Sequence, residues 1–113
     1  NTVMACLAAG EVSAPAWVIL QHAIDSVIAL PEDAAPEAMR VLAEGVAGDP
    51  AIVAGESGCA AVAGLVAAAL DPQLRAALGI GPQSRIVTIG SEGATDEDAY
   101  QRIVGRASES VAA

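Results

Sequence analysis

The chain has 113 residues, enough for one domain or part of one; a complete domain of this length buries roughly two-thirds of its unfolded surface. It is 54% hydrophobic but only 2% aromatic, with Trp17 and Tyr100 as its aromatic residues, so the apolar content is mostly Ala and Val, which bury little area each at about 25 cal/mol per Å². Fourteen acids stand against five arginines, there is no lysine, and the net charge of −9 argues against a nucleic acid or an anionic membrane as partner.

The acids are spread over helix starts and exposed faces, as on a solvated acidic surface. Cys6 and Cys59 each sit in apolar company and read as reduced, small hydrophobes of an intracellular protein. No signal peptide is visible. The uncharged run between Glu56 and Asp71 falls short of the roughly 20 residues a membrane span needs. The chain reads as soluble and cytoplasmic.

The first eight residues, "NTVMACLA", read as a strand that reaches the loop "AGEVSAP", where Ser13 suits a helix N-cap and Pro15 the first turn. The helix "AWVILQHAI" follows, then a buried-type strand, "SVIAL", over 26–30, which Pro31 ends. "PEDAAPEAMRVLAEGVAGDP" is the clearest amphipathic helix. Ala35, Met39, Leu42 and Val46 recur at helical spacing, Glu37, Arg40 and Glu44 share the opposite face, and Gly48 and Pro50 stop it.

Residues 52–54 return to an extended apolar pattern before Gly55–Gly58 turns the chain. The next helix, 58–70, has no polar face, which predicts burial on all sides. Asp71 and Pro72 open a short helix that Gly79 closes. "RIVTI" is a strand. Thr95 with Asp98 has the spacing of a capping box, and the final helix carries Ala99, Tyr100, Ile103 and Val104 on its apolar face. Strands alternating with helices predict an α/β class with a largely parallel sheet, without repeats or an internal linker.

Three loops stand where strands enter helices: Ala9–Ser13, Gly55–Gly58 and Gly90–Thr95. In open α/β sheets ligands sit at such loops, and all three contain Gly, Glu and Ser. Glycine lets backbone come close to a flat ligand, and helix N-termini direct N–H groups at it. Ordinary turn and cap chemistry explains the same residues. Other chemistry finds little support. Gly55-Glu56-Ser57-Gly58-Cys59 misses the nucleophile-elbow pattern because its last glycine comes one residue early. His22 is mid-helix with no acid arranged around it, and no Cys or His group has metal-ligand spacing.

The segments "TVMACLAAGEVSAPAWVIL", "IVAGESGCAAVAGL" and "SRIVTIGSEGATDEDAYQRIV" together resemble the C-terminal part of the diaminopropionate ammonia-lyases. These are fold-type-II pyridoxal-phosphate enzymes, grouped with threonine dehydratase and the tryptophan synthase β chain. The family pattern is approximately Ala-Gly-Leu-Ala-Cys-Gly-Glu, then Gly-Glu-Ser-Gly, then Ser-Thr-Glu-Gly-Asp-Thr-Asp. The resemblance implies that residues 1–113 are a single partial domain, the C-terminal portion of the large cofactor-binding domain, with a partial open, mostly parallel sheet and flanking helices.

It further implies that Ala9 and Gly10 present backbone to the cofactor ring, that Glu56 stands near its pyridine edge, and that Ser91 offers a hydroxyl to the pyridine nitrogen. A neutral partner there suits elimination chemistry. There are departures. In register with tryptophan synthase the hydroxyl position falls on Gly90, and the family's first-loop cysteine is Ala9 here while Cys6 stands where glycine is usual. Such enzymes hold the cofactor on a lysine that also moves protons, and this chain has none.

The resemblance thus implies a fragment, inactive alone, of a homodimeric lyase that converts 2,3-diaminopropionate to pyruvate and ammonia. A fragment of a threonine or serine dehydratase, or a non-catalytic acidic α/β binding module, are the alternatives.

Overall fold

The computed structural model describes residues 2–111; Asn1, with which the first expected strand begins, lies outside them. A 3₁₀ turn, Ala5–Leu7, precedes six helices: α1 (Ala14–Ala23), α2 (Ala34–Glu44), α3 (Ala60–Leu70), α4 (Pro72–Ala77), α5 (Glu97–Val104) and α6 (Ser108–Val111).

The core is the α2–α3–α5 junction. Helix α2 lays Ala35, Ala38, Met39 and Ala43 against Cys59 and Ala63 of the α3 entry and against Tyr100 of α5. Small residues let these helices come close, and Tyr100 and Met39 supply the bulk. Two guanidinium groups tie the same helices at their ends: Arg40 donates to the Ile103 carbonyl at 3.2 Å, and Arg106 donates to that of Ala43. The polar face expected of α2, Glu37, Arg40 and Glu44, is exposed.

Several local expectations hold. The Asp71 side chain accepts from the Gln73 and Leu74 N–H groups at the start of α4, and Gly79 follows its end with φ +65°. Ala99 and Tyr100 are the buried residues of α5. Others are corrected. Helix α2 stops at Gly45 (φ +71°), ahead of Gly48 and Pro50, because the left-handed conformation there is one that only glycine adopts without strain. Ser13 stands at the α1 N-cap without a side-chain cap bond. At α5 the cap is Asp96, which accepts from the Ala99 N–H at 2.9 Å, and Thr95 turns away to Glu92. Helix α3 is buried at Ala63, Gly64 and Ala68 and not all round: Leu70 is 79% exposed.

The largest correction concerns the sheet. Among the described residues there is no strand, so the open, mostly parallel sheet is not formed. A strand is defined by its ladder, and neither 26–30 nor 85–89 makes a backbone–backbone hydrogen bond. Both segments lie instead along one apolar groove of about 590 Å³, floored by α3 at Gly64 and Ala68. Ser26, Ile28 and Leu30 line it while Val27 is 85% exposed, the alternation of a strand without its neighbour.

The open groove has its counterpart in the overall dimensions. The radius of gyration is 15.1 Å, against about 13 Å for a compact domain of this length. The exposed surface is 7905 Å², against about 5,700 Å² for a folded monomer of this mass. No helix among the described residues is long and apolar enough to cross a membrane.

Candidate functional site

The two glycine-bounded turns, Gly55–Gly58 and Gly90–Gly93, meet. The Gly55 N–H donates to the Glu92 carbonyl at 3.1 Å, and the contact is so close that neither Gly55 nor Gly58 has room for a side chain. A Cβ on Gly55 would run into the Gly93 carbonyl and one on Gly58 into the backbone of Glu92. This is why glycine stands on both sides of the Glu56-Ser57 pair.

Glu92 sits at the junction. Its Oε2 accepts from the Ser57 N–H at 2.8 Å and the Gly58 N–H at 3.2 Å; its Oε1 accepts from the Cys6 thiol and the Thr95 hydroxyl, each at 3.2 Å. Burial opposes the charge, but the Cys6, Ser57, Thr95 and Gly58 donors outweigh it and hold the carboxyl below its usual range. The Cys6 thiol is pushed up, first by its hydrogen bond to Glu92 and then by that carboxylate's charge; burial adds, the Ser57 hydroxyl opposes, and Glu56 contributes a smaller push.

The implied site residues fall into two groups. Glu56 lies within the first turn, half-buried, and its carbonyl accepts from the Cys59 thiol at 3.3 Å. The single S–H of Cys59 is shared between that carbonyl and the Ala35 carbonyl, also at 3.3 Å, and burial pushes its pKa to about 11, so it serves as an inert peg fixing the turn to α2. Ser91 is exposed on the second turn, next to Glu92. Ala9 and Gly10 are exposed on the loop that follows Cys6, and among the described residues no hydrogen bond joins them to either turn.

The sequence reading did not single out Glu92 or Cys6 as joining the loops. The available signal was the pair of glycines around Glu56-Ser57, since residues without a Cβ mark where another backbone comes close. Ser57 is buried and its hydroxyl has no hydrogen-bond partner, although it stands near the Cys6 thiol.

No family model matches the chain. The diaminopropionate ammonia-lyases of Escherichia coli strain K12 and of Escherichia coli O157:H7 are each 33% identical to it over 98% of the chain, which is 29% of their own length. A crystal structure of the Escherichia coli enzyme in complex with an aminoacrylate-PLP azomethine reaction intermediate matches with a TM-score of 0.84 and 33% identity, over 92% of this chain and 28% of that one. The chain is therefore similar, in sequence and in fold and over nearly its whole span, to somewhat less than a third of a diaminopropionate ammonia-lyase.

Proposed function

We propose that the chain is the C-terminal part of the cofactor-binding domain of a fold-type-II, pyridoxal-phosphate-dependent ammonia-lyase that converts 2,3-diaminopropionate to pyruvate and ammonia by α,β-elimination. The observation that carries this reading is the joint agreement of sequence and fold with the Escherichia coli enzyme over more than nine-tenths of the chain.

The rim formed by the polar turns suits the ring of the cofactor and not its phosphate. A buried Ser57 hydroxyl without a partner is available to a polar ligand edge. A Cβ at Gly10 or Gly93 would meet nothing within 4 Å, so a flat group has access to the backbone there. Two carboxylates, Glu56 and Glu92, make the rim a poor seat for a dianion, and the phosphate belongs to another part of the whole protein.

When bound, pyridoxal phosphate supplies an electron sink for charge left at the substrate's α-carbon. The residues of this chain orient and tune. Ala9 and Gly10 present backbone to the ring, Glu56 stands by its edge, and the Ser91 hydroxyl is the partner for the pyridine nitrogen. A neutral hydroxyl at that position would moderate the sink. The amine that holds the cofactor and moves the α-proton is supplied from outside this lysine-free chain, and the 113 residues alone are inactive.

The excess exposed surface and the open groove along 26–30 and 85–89 support a partial domain whose strands pair with the rest of the protein and weigh against a self-contained binding module. A homodimeric, cytoplasmic whole enzyme rests on the resemblance. The charge of −9 supports the absence of nucleic-acid or anionic-membrane partners.

The test uses the whole protein that contains this chain. An absorption band at about 420 nm from bound cofactor, with pyruvate formed from 2,3-diaminopropionate, supports the proposal. A band with turnover of serine or threonine only would make the protein a dehydratase, and no band would overturn the reading altogether.

A further inference from the structure

One carboxylate bonds to three separate segments of the site. Glu92 takes two backbone N–H groups of the first turn on one oxygen, and the thiol of the N-terminal loop with the hydroxyl of its own turn on the other. Around it, Gly55 and Gly58 remove the side chains that would hold the turns apart. On the far side of the first turn, Cys59 pegs the Glu56 carbonyl to α2.

We infer that Glu92 is the positioning residue of this site: its carboxylate clasps the turn 55–58 to the turn 90–95 and to the Cys6 loop, and so sets where Glu56 and Ser91 stand against the edge of the bound ring. The inference rests on the cofactor reading above and adds the residue that enforces it.

The chemistry requires glutamate. An ionised carboxylate is acceptor-only on both oxygens and serves donors on two sides at once. Glutamine accepts on one oxygen, and its NH₂ faces either the Ser57 and Gly58 N–H groups or the Cys6 and Thr95 donors. Alanine leaves all four donors without this acceptor. Ser91 is the immediate chain neighbour of Glu92, and Glu56 the neighbour of Ser57, so a change at the clasp is transmitted to both ring contacts through a single peptide unit.

The experiment compares wild type, Glu92→Gln and Glu92→Ala in the whole protein with two readouts. The first is the pH dependence of Cys6 alkylation, followed on its own peptide by mass spectrometry. The groups facing the thiol are Glu92, Glu56 and the Ser57 hydroxyl, and Glu56 and Ser57 stay in every variant. A clasping Glu92 predicts that the Cys6 midpoint falls in both variants. The second readout is the absorption band and steady-state kinetics at saturating cofactor, below the melting temperature of each variant. A shifted band and a kcat reduced about 10²-fold are expected for Glu92→Gln, the scale of loss when reacting groups are displaced by about 1 Å.

An unmoved Cys6 midpoint overturns the clasp. A lowered midpoint with an unchanged band and kcat overturns the positioning role. If wild type shows no band at all, the cofactor reading fails and takes the positioning role with it, while the thiol midpoint still decides whether the clasp exists.

Discussion

The two faces of α3 carry different parts of the molecule. On one, α2 closes over Met39 and Cys59, with Tyr100 of α5 packed against α2 beside them, all fully buried, and the Arg40 and Arg106 guanidinium groups and the Cys59 thiol bond across to neighbouring carbonyls. On the other, the segments 26–30 and 85–89 border an open groove, with Val87 89% and Ile89 79% exposed. Both faces are equally apolar in sequence. The difference is that one has its partners within these residues and the other does not, and the polar turns are anchored to the face that does.

Substitutions sharpen this contrast. Tyr100→Ala is expected to destabilise the protein most, by about 3–5 kcal/mol, the range for truncating a buried aromatic, measured by urea denaturation. In the 113-residue chain Val87→Ala should stay within about 0.5 kcal/mol, as for an exposed site. In the whole protein it should cost about 1–2 kcal/mol if the groove is filled there. Equal, negligible costs in both settings would break the comparison.

Gly58→Ala should cost about 1–3 kcal/mol, the penalty for overpacking, because the new methyl group meets the Glu92 backbone; Gly81→Ala, where a Cβ meets nothing, is the control in the same denaturation series. Asp71→Ala removes a cap with two N–H bonds and should cost about 1 kcal/mol, seen as a modest drop in melting temperature.

The smallest expected effect is on pH dependence. Burial opposes the charge of Glu92, and its four donors lower the pKa; the Ser108 hydroxyl and N–H lower that of Glu97, and the Val3 N–H and Thr2 hydroxyl that of Glu32. All three folded values lie below the unfolded value of about 4.3. Their contribution is therefore complete above that value and is lost as pH falls through the folded ones. The melting temperature should hold from neutral pH to about 5 and then decline. In Glu92→Gln that decline should be shallower; an identical acid limb would show that Glu92 gains nothing from its donors.

Much of the local structure was legible. The spacing of Ala35, Met39 and Leu42 gave α2, the Asp71-Pro72 pair gave the start of α4, and the apolar face of Ala99, Tyr100 and Ile103 gave α5. These signals act within a few residues, which is why they hold where no sheet forms. The strands were not recoverable in the same way. "SVIAL" and "RIVTI" carry strand-forming side chains, but a ladder requires a second backbone at the right distance, and among the described residues none hydrogen-bonds to them. Capping was ambiguous where several acceptors were adjacent: Thr95 and Asp96 both suit an N-cap, and Glu92 decided between them by occupying the Thr95 hydroxyl.

By itself, the sequence located helices α1 to α5 and showed that two glycine-bounded stretches each carry a glutamate and a serine. Only the tertiary structure decided that those turns interlock, that Glu92 and not Glu56 holds them, and that Cys6 completes the junction from a position 86 residues away in the chain. The reason is physical: helix and cap preferences are fixed by neighbours within one or two turns of chain, whereas a carboxylate takes its role from whichever donors the fold delivers to it.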